Sequence, residues 1–231
     1  MVVIQMRIVI AGGHGNIARK LTRELSRGGH EVVGLIRKEE YRADLVADGA
    51  VPVVIDLEQS SAAEVASLLA GADVAVFAAG AGAGGSDERR KAVDLGGSVL
   101  LADAAEIAGV PRFVQISSTG VDSVRNNARP SDVPEGFLSY LQAKLAAEED
   151  LSRRSLTWTI VRPGGLTDDI GTGLVHLART GPEHTETRGT VPRADVATVL
   201  AELIRTGAGE RETLHLLSGA VPVQAAVAVF A

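Results

Sequence analysis

Short, nearly continuous runs of branched apolar residues alternate along the chain with longer stretches whose apolar positions recur every three or four residues. The runs at 7–11, 31–36, 51–55, 73–78, 112–117 and 157–161 predict strands buried on both faces. The stretches at 16–27, 39–48, 62–69, 87–108 and 136–153 predict helices. In the longest, Val93, Leu100, Ala104 and Ile107 fall near helical spacing and form the face expected to cover a sheet. This alternation implies an α/β, three-layer Rossmann fold with a doubly wound parallel sheet. After Val161 the rhythm loosens, and 163–192 is rich in Gly, Pro and Thr. Order returns with a helix at 194–205, a strand at 213–217 and an apolar tail after Pro222. The expected organisation is one domain over 1–231, with residues 1–5 extending the first strand. A small irregular C-terminal cap at about 164–192 is expected on the substrate side.

Composition narrows the classes. A length of 231 residues suits one domain with an appendage. Hydrophobic residues at 45% and charged residues at 23% exclude wholesale disorder. A net charge of -6 argues against nucleic acid as a partner. With no Cys there is no disulfide framework, thiol catalysis or Cys-based zinc site, and the five His share no metal-ligand spacing. No metal is therefore expected. Val2-Val3-Ile4 is interrupted by Gln5 and Arg7, and no run reaches the roughly 18 apolar residues of a membrane span. The expectation is a cytoplasmic monomer or homodimer that acts on a small molecule, with no membrane partner.

Ala11-Gly12-Gly13-His14-Gly15-Asn16-Ile17-Ala18 joins the first strand to the first helix. Gly12 permits the tight turn, Gly15 lets backbone approach a diphosphate, and Ala18 lets the helix lie against the strand. N–H groups of His14, Asn16 and Ile17 then face the phosphates, aided by the helix dipole. The second strand ends Leu35-Ile36-Arg37-Lys38, where an NAD site would place a carboxylate. A guanidinium suits a 2′-phosphate, so NADP is favoured over NAD. Asp56-Leu57 ends the third strand, where the carboxylate serves either the adenine amino group or a turn. Ala79 and Gly80, after the fourth strand, allow close approach of ribose and diphosphate. The glycines that follow, to Gly85, suggest flexibility.

Tyr140 and Lys144 lie four apart, on one face of a helix. An ammonium beside a phenol favours the phenolate, which suits the phenol for exchanging a proton with a substrate oxygen while hydride moves at the adjacent carbon. Ser117-Ser118-Thr119 follow the fifth strand, at the same sheet edge as the glycine turn. A hydroxyl there can hold the substrate oxygen, with Ser117 beside the cofactor. Pro163-Gly164-Gly165-Leu166 follow the sixth strand, where bare backbone can meet the nicotinamide carboxamide.

With these residues together the chain resembles an atypical short-chain dehydrogenase/reductase, of the NAD(P)-binding epimerase/dehydratase subgroup. The resemblance runs from about Arg7 to Leu217. It rests on Gly12-xx-Gly15-xx-Ala18, Arg37, Val93-Asp94-Leu95-Gly96-Gly97, Phe113-Val114-Gln115-Ile116-Ser117-Ser118, Tyr140-xxx-Lys144, Val161-Arg162-Pro163-Gly164-Gly165-Leu166 and Arg193-Ala194-Asp195-Val196-Ala197. It implies an NADP site and a Ser118, Tyr140, Lys144 triad, with Lys144 also orienting the cofactor ribose. It implies a departure as well. Typical members carry an Asn on the fourth helix that supports a proton relay, and this chain has Asp94, which either pairs with Lys144 or holds a relay water. Arg162 either touches the cofactor region or supports a loop, and Arg193–Ala197 reads as structural docking. The leading expectation is an NADP-dependent oxidoreductase, reductase or epimerase/dehydratase, acting on a small carbonyl or sugar-like substrate. Its rival is a non-catalytic NADP-binding redox sensor.

Overall fold

The computed structural model describes residues 5–81, 86–131, 133–181 and 188–231. Eleven strands occur among these residues: β1 (Arg7–Ala11), β2 (Glu31–Ile36), β3 (Val51–Val54), β4 (Val74–Phe77), β5 (Arg112–Ile116), β6 (Thr157–Pro163), β7 (Gly165–Thr167), β8 (Leu174–Arg179), β9 (Thr190–Pro192), β10 (Glu212–Ser218) and β11 (Val221–Pro222). The helices are α1 (Asn16–Arg27), α2 (Arg42–Ala47), α3 (Ala62–Leu68), α4 (Asp87–Arg90), α5 (Gly97–Ala108), α6 (Glu135–Ser152), α7 (Arg193–Thr206) and α8 (Val223–Ala228).

The main sheet runs β11-β8-β10-β6-β5-β4-β1-β2-β3. Every neighbouring pair from β3 to β10 is parallel, and only β8, against β10 and β11, is antiparallel. Strand order reverses between β1 and β4, and a crevice opens there at the carboxyl ends of the strands. Alternation along β1 sets the three layers. Ile8 and Ile10 pack with Leu21 of α1 and Leu200 of α7 on one face; Val9 and Ala11 pack with Val65 of α3 and Leu101 of α5 on the other. The doubly wound α/β expectation holds.

Several details differ. β3 is an edge strand with Val51 and Val54 exposed, because no strand follows it on that side. The helix expected at 39–48 opens as a 3₁₀ turn, Glu39–Tyr41. The one expected at 87–108 contains a π-type stretch, Lys91–Gly96, between α4 and α5. Its buried face is made by Gly97, Ser98, Leu101, Ala102, Ala104 and Ala105, while Ile107 is 63% exposed. Small residues face inward because the Phe77 ring already fills the space, 3.4 Å from where a Gly97 Cβ would stand. β6 runs on to Pro163. In the stretch expected as an irregular cap, β8 joins the main sheet by antiparallel pairing with β10 and buries Val175 and Ala178, with no regular alternation to announce it. Beside it β7 and β9 form a separate two-stranded ladder. The expected first-strand extension at 1–4, the flexible glycines at 82–85 and the cap segment 182–187 lie outside the described residues. No helix among the described residues is long and apolar enough to cross a membrane.

Candidate active site

Two cavities open on the carboxyl edge of the sheet. One, about 330 Å³, lies over β2, β3 and β4; the other, about 930 Å³, lies over β5, β6 and α6. Gly15, Ala78, Ala79 and Gly80 line both, so the two form one trough across the switch between β1 and β4. Local chemistry shapes this junction. Gly12 has φ +78, and a Cβ there would stand 2.6 Å from the Ala79 Cα. A side chain is thus excluded both by backbone conformation and by space. Gly15 precedes α1 with no side-chain cap on the helix, whereas Ser61 and Glu64 close a full capping box on α3. The first-turn N–H groups of α1 therefore point into the trough beside Asn16 and Ile17, a seat for an anion.

At the smaller end, Arg37 Nη1 lies 3.6 Å and Arg89 Nη1 3.4 Å from Glu58 Oε1. Two guanidiniums converge there on one carboxylate that a phosphate could replace. Asp56 lines the same cavity, with Leu57, and its Oδ1 accepts from the Glu58 N–H at 3.0 Å, fixing the turn. His14 turns its side chain aside. Its Nε2 is 2.8 Å from Asp44 Oδ2, and its ring stacks on Tyr41 at 3.8 Å. This hydrogen bond holds the Asp44 carboxyl below its usual range. The side chain of His14 thus forms a wall of the cavity, and only its backbone belongs to the glycine turn.

The larger end brings together Ser117, Ser118, Tyr140, Lys144 and Asp94. Tyr140 and Lys144 sit one turn apart on α6, with the Lys144 ammonium 5.8 Å from the centre of the phenol ring. Phe137, one turn earlier, stacks on Tyr140 at 5.3 Å. No described residue takes the Tyr140 hydroxyl. Lys144 Nζ is buried, donates to the Ile116 carbonyl at 3.2 Å and lies 3.1 Å from Asp94 Oδ1. That last contact is off the hydrogen-bond direction, so it acts as a charge contact. Asp94 is wholly buried within the π-type stretch, and its Oδ2 accepts from the Ala81 N–H at 3.0 Å. Of the two expected roles for Asp94, pairing with Lys144 is the one observed. The extra residue of a π turn swings a side chain off the regular helical stripe, which is how this carboxylate reaches both partners.

Ser118 Oγ donates to the Thr119 carbonyl at 3.0 Å, and the buried Ser117 Oγ has no hydrogen-bond partner among the described residues. Pro163 needs correction. It is the last residue of β6, buried and not part of the cavity lining, with its carbonyl accepting from the Thr119 N–H. Gly164, Gly165 and Leu166 do line the cavity. The N–H groups of Gly164 and Gly165 are nevertheless taken by the Leu216 and Gly189 carbonyls, so neither is a free donor for a carboxamide. Gly164 is required there, because a Cβ would stand 2.5 Å from the Gly189 carbonyl oxygen, a backbone atom.

Behind the site, Arg162 is 2% exposed and bridges two elements. It donates to both Glu148 oxygens on α6, at 2.9 and 2.6 Å, and to Asp122 Oδ2 at 2.6 Å. Burial pushes the Asp122 carboxyl up, but the guanidiniums of Arg162 and Arg125 outweigh it and hold that carboxyl below its usual range. Arg162 therefore supports a loop and does not face the cofactor trough. Asp195 likewise docks a loop, accepting from the Thr172 and Gly173 N–H groups.

Residues of the trough that escaped the sequence reading include Tyr41, Glu58, Arg89, Arg90 and Phe137. Only Phe137 had a local signal, three residues before Tyr140 on the same helix face. A bound dinucleotide passes a fit test here. Glycine approach at 12 and 15, uncapped N–H groups, a length of trough reaching Tyr140 and an unpartnered Ser117 hydroxyl all suit it.

Comparison with known proteins gives the same picture. The family described as NAD(P)H-binding matches residues 12–206. An uncharacterised sugar epimerase, YhfK of Bacillus subtilis, is 34% identical over 96% of this chain and 99% of its own. A Bacillus halodurans structure named provisionally as an NAD-dependent epimerase/dehydratase superposes with a TM-score of 0.86 at 35% identity, covering 97% of this chain and 99% of that one. The oxidoreductase ylbE of Lactococcus lactis superposes with a TM-score of 0.79 at 27% identity, covering 97% and 96%.

Proposed function

The chain belongs to the NAD(P)H-binding family, in its atypical short-chain dehydrogenase/reductase branch, and from that premise we propose that it is an NADPH-dependent reductase of a small carbonyl compound. The observation that carries this reading is the Tyr140 hydroxyl, unengaged at the end of a trough that begins at Arg37. NADPH, when bound, supplies hydride to the carbonyl carbon.

Everything else falls to the protein. Arg37 and Arg89 select the 2′-phosphate in place of Glu58. The first turn of α1 takes the diphosphate. Ser118 holds the substrate oxygen, and Ser117 lies beside the cofactor. Tyr140 gives its proton to that oxygen as the alcohol forms, and the Lys144 ammonium stabilises the phenolate left behind. Asp94 fixes the Lys144 ammonium in place and tempers its field.

Tyr140→Phe should cut turnover by roughly 10²–10⁴ and leave NADPH affinity nearly intact. Unchanged turnover would remove Tyr140 from the chemistry. The same residues serve an epimerase, with Tyr140 taking and returning the proton, and the similarity to a protein named sugar epimerase supports that variant. The Asp94–Lys144 contact favours a second reading, an NADP-binding sensor without turnover. Steady NADPH oxidation with aldehydes, ketones or quinones separates the enzyme from the sensor.

A further inference from the structure

The end of β2 carries Arg37 where a ribose 2′-hydroxyl would need a carboxylate, and the fold brings a carboxylate there from the next strand. Ile55 continues β3 alongside β2, its N–H donating to the Ile36 carbonyl at 2.8 Å. The chain then turns on Asp56. Its Oδ1 accepts from the Glu58 N–H, and its carbonyl accepts from the Gln59 N–H and the Ser60 hydroxyl. Glu58 thus stands beside Arg37, and Arg89 reaches the same carboxylate oxygen from α4.

Both contacts are too long to be good hydrogen bonds, and all three side chains are partly exposed. Such pairing is weak and solvent-screened, so it gathers the groups without fixing them. Among the described residues, the Asp, Glu, Lys and Arg side chains lining this cavity are Arg37, Arg89, Asp56 and Glu58, two of each sign. A phosphate dianion therefore enters a site whose charges already cancel, and it must part the arginines from Glu58. A hydroxyl needs no such parting. It donates to a carboxylate that has lone pairs to spare beside both arginines.

We propose that Glu58 sets coenzyme preference: it accepts the adenosine 2′-hydroxyl of NAD(H) and opposes the 2′-phosphate of NADP(H). The site then holds both coenzymes, and Arg37 with Arg89 tip it only modestly toward NADPH. This deepens the proposed reading of the small end and rests on its placement of the 2′-phosphate at Arg37 and Arg89.

The test is calorimetric titration of the full chain with NADP⁺ and with NAD⁺. The native protein should bind both, NADP⁺ no more than about tenfold tighter. Glu58→Gln keeps the shape of the side chain and removes its charge. It should tighten NADP⁺ and weaken NAD⁺, each about two- to tenfold. Opposite shifts mark a selector, since a residue that only shapes the turn would move both coenzymes together. Arg89→Gln tests the cluster from its other member, should Glu58→Gln fail to fold. It should weaken NADP⁺ about two- to tenfold and leave NAD⁺ unchanged or tighter. Parallel shifts in either variant, no shift in Glu58→Gln, or a native preference for NADP⁺ above about tenfold would overturn the proposal. Failure of the native chain to bind either coenzyme at about one millimolar would overturn the dinucleotide reading itself, and this proposal with it. Opposite shifts without NADPH oxidation would support the proposal while overturning the reductase reading.

Discussion

Asp94 and Lys144 are two charges taken out of water together, one wholly buried and the other nearly so. Removing one leaves its partner uncompensated, so Asp94→Ala should cost about 3–5 kcal/mol of stability. Lys144→Met should also be costly, and the double variant should lose about 1–3 kcal/mol less than the sum of the two. Urea unfolding of the four proteins measures this, and additive losses would mean that the contact carries no coupling. Arg37 makes a different kind of claim. Its side chain is 45% exposed and its carboxylate contact is long, so it is available to a phosphate. Arg37→Ser should weaken NADPH binding about ten- to a hundredfold, the worth of a charge-assisted bond, and leave NADH nearly unchanged. An equal loss for both coenzymes would take Arg37 out of 2′-phosphate selection.

Among the elements, α6 carries Tyr140 and Lys144, and the 3₁₀ segment Val121–Asn127 follows the loop that carries Ser118. Arg162 locks them through Glu148 and Asp122. The Asp122 carboxyl lies below its usual value in the folded protein, so its stabilisation is fully present above the unfolded value near pH 4 and is lost as pH falls through the lower folded value. The stability gap between the native chain and Asp122→Asn should therefore close below about pH 4. A gap constant down to pH 2 in urea midpoints would contradict the pairing.

Element by element, the sequence was most legible where local pattern and tertiary role coincide. β1, α1 and β2 occur with their expected bounds, because strand patterning, a glycine turn and helical periodicity act within thirty contiguous residues. Tyr140 and Lys144 were legible for the same reason. β8 was not, since its partner β10 lies more than thirty residues away. The π-type stretch was also hidden, because the residues that demand it, Ala81 and Lys144, are brought to Asp94 only by the fold. Arg89 and Glu58 meet Arg37 across β2, β3 and α4, a meeting that no spacing announces.

The molecule as a whole is a Rossmann sheet whose switch point feeds one trough with two unlike ends. The small end balances Arg37 and Arg89 against Asp56 and Glu58; the large end gathers Ser118, Tyr140, Lys144 and Asp94. Such a shape suits a long, bent ligand with a phosphate at one extremity and a reactive ring at the other. The most direct test is a crystal structure of the chain grown with NADP⁺. The account requires the 2′-phosphate between Arg37 and Arg89, the diphosphate on the first turn of α1, and the nicotinamide ring within about 4 Å of the Tyr140 hydroxyl, near the reach of proton and hydride exchange. A nucleotide seated elsewhere, or a nicotinamide turned away from Tyr140, would contradict it.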